Sequence, residues 1–295
     1  MAAEAKVGII GAGIMGGAIA RNLARDGIAV AAFDIAPERL SELASDGIAA
    51  ASSVGEAARG VDFVLTSLPS VASLEATVAA LLAEPKPGLV VAELSTLPIP
   101  DKECCRDRLA TGGIVLLDCP LSGTGAQAAT RDLAVYASGE RASYDRAAPI
   151  FRKFARATHY LGAFGNGSRM KFVANLLVAV HNVASAEAMV LGMKAGLDPD
   201  TIVEVIRSGV GVSRIFELRA PLMAREAYEP PTMKIDVWQK DMAIIAEFAR
   251  SLGVTAPTFA AAAPVYDAAQ KAGFGGQDTA AVCKQLEQQA GLKRG

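Results

Sequence analysis

Aromatic residues make up only 5% of the 295 residues, and the chain holds one tryptophan, two histidines and four cysteines. With so few rings, the 52% hydrophobic share must be built largely from Ala, Val, Leu and Ile. That composition suits closely packed helices and parallel strands. Cys104, Cys105, Cys119 and Cys283 form no CxxC pair, and the histidines are only His159 and His181. The spacing of a zinc site is missing, so no metal is expected. Each thiol reads as a reduced, small, buried hydrophobe. No long basic run is present, the net charge is −2 and the isoelectric point is near 5.8. Nucleic acid and anionic membrane are therefore not expected partners. The uncharged apolar stretch at residues 172–186 contains Asn175, His181 and Asn182. It falls short of the roughly 20 apolar residues that cross a bilayer. Lys6 followed by "VGIIGAGIMGGAIA" has the order of a secretory signal, but its glycines oppose the helical apolar run such a segment needs. A soluble, unprocessed, cytoplasmic protein is expected.

What is present is alternation. The length allows one large or two ordinary domains. "KVGII", "IAVAAFD", "DFVLTSL", "LVVAEL", "GIVLLDC" and "DLAVYASG" read as strands, separated by helix-like segments such as residues 15–26. Continuous apolar strands between helices indicate a parallel sheet covered on both faces. After "HYLG", residues 159–162, strand signals stop. Residues 166–195 read as one long helix, followed by three or four further helical stretches. The expected fold is α/β: an N-terminal doubly wound sheet of Rossmann type over residues 1–162, then an all-α domain over residues 163–295, joined by the long helix.

"GAGIMG" places Gly11, Gly13 and Gly16 in GxGxxG spacing, directly after the first strand and at the opening of a helix. Gly11 permits a tight turn, Gly13 lets the backbone approach a pyrophosphate, and Gly16 lets helix and strand pack closely. The helix N-terminus then offers free N–H groups to the phosphates. Asp34 ends the second strand. An acid there either binds the ribose hydroxyls of NAD and repels the 2′-phosphate of NADP, or is a turn acid. The next residue is Ile35, not an arginine that would accept that phosphate. NAD is therefore expected in preference to NADP.

A dinucleotide enzyme needs a group to move a proton. His159 and His181 read better as structural, hydrogen-bonded histidines. Lys171 and Asn175 sit four apart at the start of the long helix and share a face. Spacing alone leaves two readings open: a polar cleft, or a snorkelling lysine beside a surface asparagine.

Four motifs, in order, carry a resemblance that covers nearly the whole chain. "VGIIGAGIMGGAIARNLARDG", "DCPLSGTGAQA" (residues 118–128), "GNGSRMKFVAN" (residues 165–175) and "IDVWQKD" (residues 235–241) resemble the cofactor loop, substrate loop, lysine motif and late motif of the β-hydroxyacid dehydrogenase family. "SLPS" (residues 67–70) and "ELST" (residues 93–96) are smaller matches at strand ends. The resemblance implies an NAD-dependent oxidoreductase of a small 3-hydroxy carboxylate of the 3-hydroxyisobutyrate, glycerate or aldonate kind. It implies Lys171 as general acid/base and Asn175 as the residue aligning substrate and lysine. Ser122, Gly123 and Thr124 would hold the substrate carboxylate. Gly11, Gly13, Ile14, Met15, Gly16, Asp34, Leu68, Pro69, Thr96 and Lys240 would contact the cofactor. A lysine has an unperturbed pKa of about 10.4, so a neutral base form asks for burial or a basic neighbour. Arg169 and Lys240 are candidates for that neighbour. A homodimer or homotetramer is implied as well.

The sequence departs from the family pattern at Ala174, where an asparagine is usual, and at Thr124, Gln127 and Arg131 in the substrate loop. The stretch "PTMKID" lacks a usual phenylalanine. Ser213, Arg214, Phe216 and Trp238 are expected either at the substrate end of the cleft or in structural packing. These departures bear on the substrate. Two other readings share the fold: an imine reductase or phosphogluconate-type enzyme, and a non-catalytic dinucleotide-binding scaffold.

Overall fold

The structure, a computed structural model, describes residues 6–294. The first elements alternate strictly: β1 (Lys6–Ile10), α1 (Ile14–Arg25), β2 (Ala29–Phe33), α2 (Pro37–Ala44), β3 (Ala49–Ala50), α3 (Val54–Ala58), β4 (Phe63–Thr66), α4 (Val71–Ala83), β5 (Val90–Glu93), α5 (Ile99–Ala110) and β6 (Val115–Asp118). The six strands form one parallel sheet in the order β3-β2-β1-β4-β5-β6. This is the doubly wound order expected of a dinucleotide-binding sheet. Side chains alternate across it. Ile9, Leu65 and Ala92 join Ile19 and Leu23 of α1 on one face. Ile10, Val64 and Val91 join Leu74, Val78 and Leu109 of α4 and α5 on the other. Burial on both faces is why these strands read as unbroken apolar runs.

Then come β7 (Leu121–Ser122), α6 (Gly125–Ala129), β8 (Ala134–Ala137), α7 (Arg141–Phe151), β9 (Ala157–Tyr160) and α8 (Asn166–Lys194). Here the sequence reading is corrected. "DLAVYASG" is a strand, but it lies in a separate three-stranded sheet, β7-β8-β9, and runs antiparallel to β7. The chain runs on past Pro120 without reversing: Asp118 bridges Ser138, and Leu121 and Ser122 pair with Val135 and Ala134 in the same antiparallel register, so β8 pairs with the continuation of β6.

The chain divides into two compact units, the first ending at Lys171 and the second beginning at Phe172. The second unit holds most of α8 and then α9 (Pro199–Arg207), α10 (Arg214–Ala224), α11 (Ile235–Ser251), α12 (Pro257–Ala269) and α13 (Val282–Gln289). Five helices follow α8 where three or four were expected. α9 and α13 have only nine and eight residues, too few for a clear periodic signal. By length and composition alone α8 could cross a membrane. In this fold its buried Asn182 donates to the Tyr266 hydroxyl at 3.0 Å and the Thr279 carbonyl at 2.9 Å, as a core helix would. A buried pair, Arg219 and Asp278 at 2.7 Å, ties α10 to the segment before α13.

The cysteines are free, and three of them are buried. Cys104 is exposed, which corrects the expectation of four buried thiols. Successive residues of a helix point about 100° apart, so Cys104 and Cys105 of α5 cannot both face the core. Burial pushes the Cys105 thiol up to about 11 and raises Cys119 and Cys283 further. Native protein at neutral pH should therefore release one equivalent of chromophore from Ellman's reagent quickly, and Cys104→Ser should abolish that phase. A second fast thiol would contradict the packing around α5.

Candidate active site

The glycine loop joins β1 to α1 within the first unit. Gly11 has φ +91°, and a Cβ there would lie 2.2 Å from the Ser67 carbonyl oxygen. At Gly16 a Cβ would lie 1.9 Å from the Gly11 oxygen, so no larger residue lets α1 begin where it does. Gly13 differs. Its missing Cβ would meet nothing nearer than Arg39 Nη1 at 3.9 Å. It is also the N-cap of α1 and supplies no side-chain cap. An open cradle over uncapped N–H donors fits a pyrophosphate. Ile14 is exposed and Met15 half-buried at the same helix start.

Asp34 is buried just beyond β2, and both its carboxylate oxygens are engaged. Oδ2 accepts the Ala12 N–H at 2.7 Å, and Oδ1 accepts the Ala36 N–H at 2.9 Å. Asp34 thus fixes the glycine loop as well as marking the end of β2. Arg39 Nη1 lies 3.3 Å from it and is half exposed. The sequence reading looked only at position 35 and missed this cation, which α2 brings back one turn later. Leu68 and Pro69 follow β4, and Thr96 follows β5. Leu68 N–H donates to Ser95 Oγ at 2.7 Å, joining the two strand ends. All stand at the carboxyl ends of parallel strands, where such sheets bind ligands.

The substrate-loop residues lie in the same unit. Ser122 ends β7. Gly123 has φ +131°, and a Cβ there would strike the Leu133 side chain at 2.5 Å. Thr124 caps α6 and forms a capping box with Gln127, whose Oε1 takes the Thr124 N–H at 3.0 Å. Arg131 binds Asp26 of α1 at 2.7 Å, and Asn22 of α1 donates to the Ala128 carbonyl at 2.7 Å. Of the residues that depart from the family loop, Arg131 clamps it to the C-terminal end of α1, and Thr124 and Gln127 cap α6. Thr124, expected at the substrate, is occupied in the cap.

The start of α8 is held from outside the helix. Asp118 Oδ2 accepts the Ser168 N–H at 2.8 Å, and Oδ1 accepts the Ser168 hydroxyl at 2.7 Å. Ser138 Oγ accepts the Gly167 N–H at 2.9 Å. A carboxylate at a helix N-terminus satisfies orphan donors and meets the positive end of the dipole. Lys102 of α5 is entirely buried beside it, 2.8 Å from Asp118, 2.5 Å from Glu93 and 2.8 Å from the Ser95 carbonyl. Burial alone would push this ammonium down. Asp118 and Glu93 outweigh it and hold Lys102 well above the ordinary lysine range. The sequence offered a partial signal: the acids closing the apolar strands "VVAE" and "VLLD". Nothing in "PIPDKECCRDRLA" marked Lys102 as buried. Lys171 itself is 9% exposed and belongs to the first unit. Arg169 is exposed and donates to Asn166 Oδ1 at 2.7 Å.

In the second unit, Asn175 is buried, and its Nδ2 donates to Asp241 Oδ2 at 3.1 Å. Lys240 lies 3.5 Å from Asp241 Oδ1. The late motif therefore meets the asparagine of the lysine motif through Asp241, which the sequence reading quoted without a role. Ser213 caps α10, accepting the Phe216 N–H at 3.0 Å, and Arg214 pairs with Glu217 at 3.0 Å. Phe216 and Trp238 are buried, Trp238 against Tyr266. His159 is exposed on β9, and His181 is half-buried in α8.

Two domain families match in sequence. The NAD binding domain of 6-phosphogluconate dehydrogenase matches residues 6–162. The NAD-binding domain of NADP-dependent 3-hydroxyisobutyrate dehydrogenase matches residues 165–286. The L-threonate dehydrogenase of Cupriavidus necator is 36% identical over 282 residues, covering 94% of this chain and 95% of that protein. The 2-(hydroxymethyl)glutarate dehydrogenase of Eubacterium barkeri is 30% identical over 292 residues, covering 97% and 96%. The crystal structure of 3-hydroxyisobutyrate dehydrogenase from Salmonella typhimurium is 31% identical, with a TM-score of 0.87 over 95% of this chain and 99% of that one.

Proposed function

The chain belongs to the β-hydroxyacid dehydrogenase family of oxidoreductases, and from that premise we propose that it oxidises a small 3-hydroxy carboxylate, with NAD as the preferred cofactor. The observation that carries this reading is Lys171, a buried lysine on a helix start anchored at the carboxyl end of the dinucleotide-type sheet. NAD, when bound, takes the hydride from the carbinol carbon. The chain supplies the rest. Gly11, Gly13 and Gly16 cradle the pyrophosphate, and Asp34 meets the ribose hydroxyls. Ser122 and Gly123 hold the substrate carboxylate. Lys171 takes the hydroxyl proton and returns it in the reverse direction. Asn175, one turn along the same helix, keeps substrate and lysine in line, and Asp241 keeps Asn175 in its rotamer. Lys240 and Thr96 serve the cofactor. We place the enzyme in the cytoplasm as a homodimer or homotetramer. The exposed apolar face of α8, with Val173, Leu177 and Leu191, is the surface on which copies would meet.

The substrate class is tested by a panel of small 3-hydroxy acids and aldonates, L-threonate and 3-hydroxyisobutyrate among them, with NAD and NADP. Cofactor choice has its own test. Asp34 would meet a 2′-phosphate with like charge, while Arg39 beside it would attract one. NAD should give the higher kcat/KM. Asp34→Ala should cost NAD use about tenfold or more, the order of a charge-assisted hydrogen bond, and relax the preference. Arg39→Ala should lower the residual use of NADP and spare NAD. A wild type that turns over NADP better than NAD would refute this reading of Asp34.

A further inference from the structure

Lys102 is not part of any motif discussed for the reaction, yet three segments converge on it and a fourth is linked to them. Its ammonium lies 2.5 Å from Glu93 at the end of β5, 2.8 Å from Asp118 at the end of β6, 2.8 Å from the Ser95 carbonyl and 3.2 Å from Ser168 Oγ in the first turn of α8. The links continue outward. Glu93 Oε1 accepts the Ser95 N–H at 2.9 Å, and Ser95 Oγ accepts the Leu68 N–H at 2.7 Å. The segment after β4, the segment after β5, the substrate loop that starts at Asp118 and the helix that carries Lys171 are thus joined through one buried cation.

We propose that Lys102, with Asp118 and Ser168, is a positioning device for Lys171: it sets the rotation and height of the first turns of α8 against the sheet. The geometry of the helix makes the link direct. Ser168, Lys171 and Asn175 fall at i, i+3 and i+7 and share one face. Ser168 is fully buried and held at three points, its N–H and hydroxyl by Asp118 and its oxygen by Lys102. The turn also lies in close approach to β8 and the end of β6: a Cβ at Gly167 would be 2.2 Å from the Tyr136 oxygen and 2.7 Å from the Asp118 oxygen. Only a glycine lets the helix start this close. An ion cluster is an unfavourable way to hold a core together compared with apolar packing, and its directional bonds instead specify one arrangement.

The inference rests on the reading of Lys171 as acid/base, and the test separates the two. Ser168→Ala removes the hydroxyl but leaves the backbone N–H bond to Asp118. It should lower kcat about 5- to 50-fold, the cost of a displaced catalytic group. The KM for the hydroxy acid and the NAD dissociation constant should stay at wild-type values, and the melting temperature should fall by only a few degrees, as the loss of buried hydrogen bonds requires. Asn166→Ala removes from the same turn its bond to the Leu161 carbonyl and the bond it accepts from Arg169, without touching the cluster. It should leave kcat within about twofold of wild type. A Ser168→Ala kcat within twofold of wild type overturns the inference. So does an equal loss in Asn166→Ala, or a loss in Ser168→Ala that travels with cofactor affinity or is matched by the fraction unfolded at the assay temperature. Lys171→Ala, assayed alongside, decides the parent reading. If it is inactive while Ser168→Ala is fully active, only the positioning role falls. If Lys171→Ala itself retains activity, the acid/base assignment falls.

Discussion

Lys171→Ala is expected to lower kcat by about 10²–10⁴-fold while the NAD dissociation constant stays within about twofold of wild type. Removing a positioned proton-transfer group takes away a contribution made in the transition state, so the loss belongs in kcat. NAD should be spared because the groups proposed to bind it stand on other elements: the glycine loop ahead of α1, Asp34 after β2, the segments after β4 and β5, and Lys240 on α11. Lys171→Arg should fare little better, since a guanidinium does not give up its proton near neutral pH. Single-turnover reduction of NAD by the hydroxy acid, followed at the nicotinamide absorbance, reads the chemical step directly. A Lys171→Ala enzyme that keeps more than about a tenth of the wild-type rate would remove the lysine from the mechanism.

Lys102→Ala is expected to destabilise the folded protein by about 3–5 kcal/mol, because it leaves Glu93 and Asp118 buried without their counter-charge. Both carboxylates are fully buried and cannot turn to water. Equilibrium unfolding in urea, with the transition of the sheet followed separately from that of the helical unit, measures the loss. Lys102→Ala with Glu93→Gln and Asp118→Asn removes the charge imbalance. It should recover part of the stability, because neutral amides cost less to bury than unpaired ions. A single Lys102→Ala variant as stable as wild type would mean that the cluster is solvated in solution.

Much of the fold was legible because its strands are buried on both faces. "KVGII", "LVVAEL" and "GIVLLDC" cannot read as anything but core, and the loop "GAGIMG" follows the first of them. The assignment of "DLAVYASG" to the main sheet failed for a local reason. Apolar alternation tells which residues are buried, not which neighbour they pair with, and β8 pairs antiparallel with the continuation of β6 instead of joining the parallel ladder. Short helices such as α9 and α13 escaped the periodic signal for want of length.

Of the candidate site, the sequence made legible the unusual backbone at Gly11 and Gly123 and the buried polar positions in an apolar helix at Lys171 and Asn175. The site was not legible where a side chain is recruited across the fold. Lys102 sits in a charged stretch of α5 that looks solvated, and only the tertiary fold turns it inward onto Glu93 and Asp118. Asp241 was hidden in the same way, since Asn175 lies far from it in sequence, whereas Arg39 stands only a helical turn past Asp34 and was missed because position 35 alone was weighed. Thr124, Gln127 and Arg131 looked like changes at the substrate. They prove to be a helix cap and a clamp on α1.

The most direct test of the central claim is turnover by the wild-type protein. Purified enzyme is mixed with NAD and, in turn, each member of the hydroxy-acid panel, and nicotinamide reduction is recorded. The expected result is saturable NAD reduction with at least one small 3-hydroxy carboxylate, abolished by Lys171→Ala. Protein that binds NAD with a measurable dissociation constant yet reduces neither NAD nor NADP with any acid of the panel would contradict it.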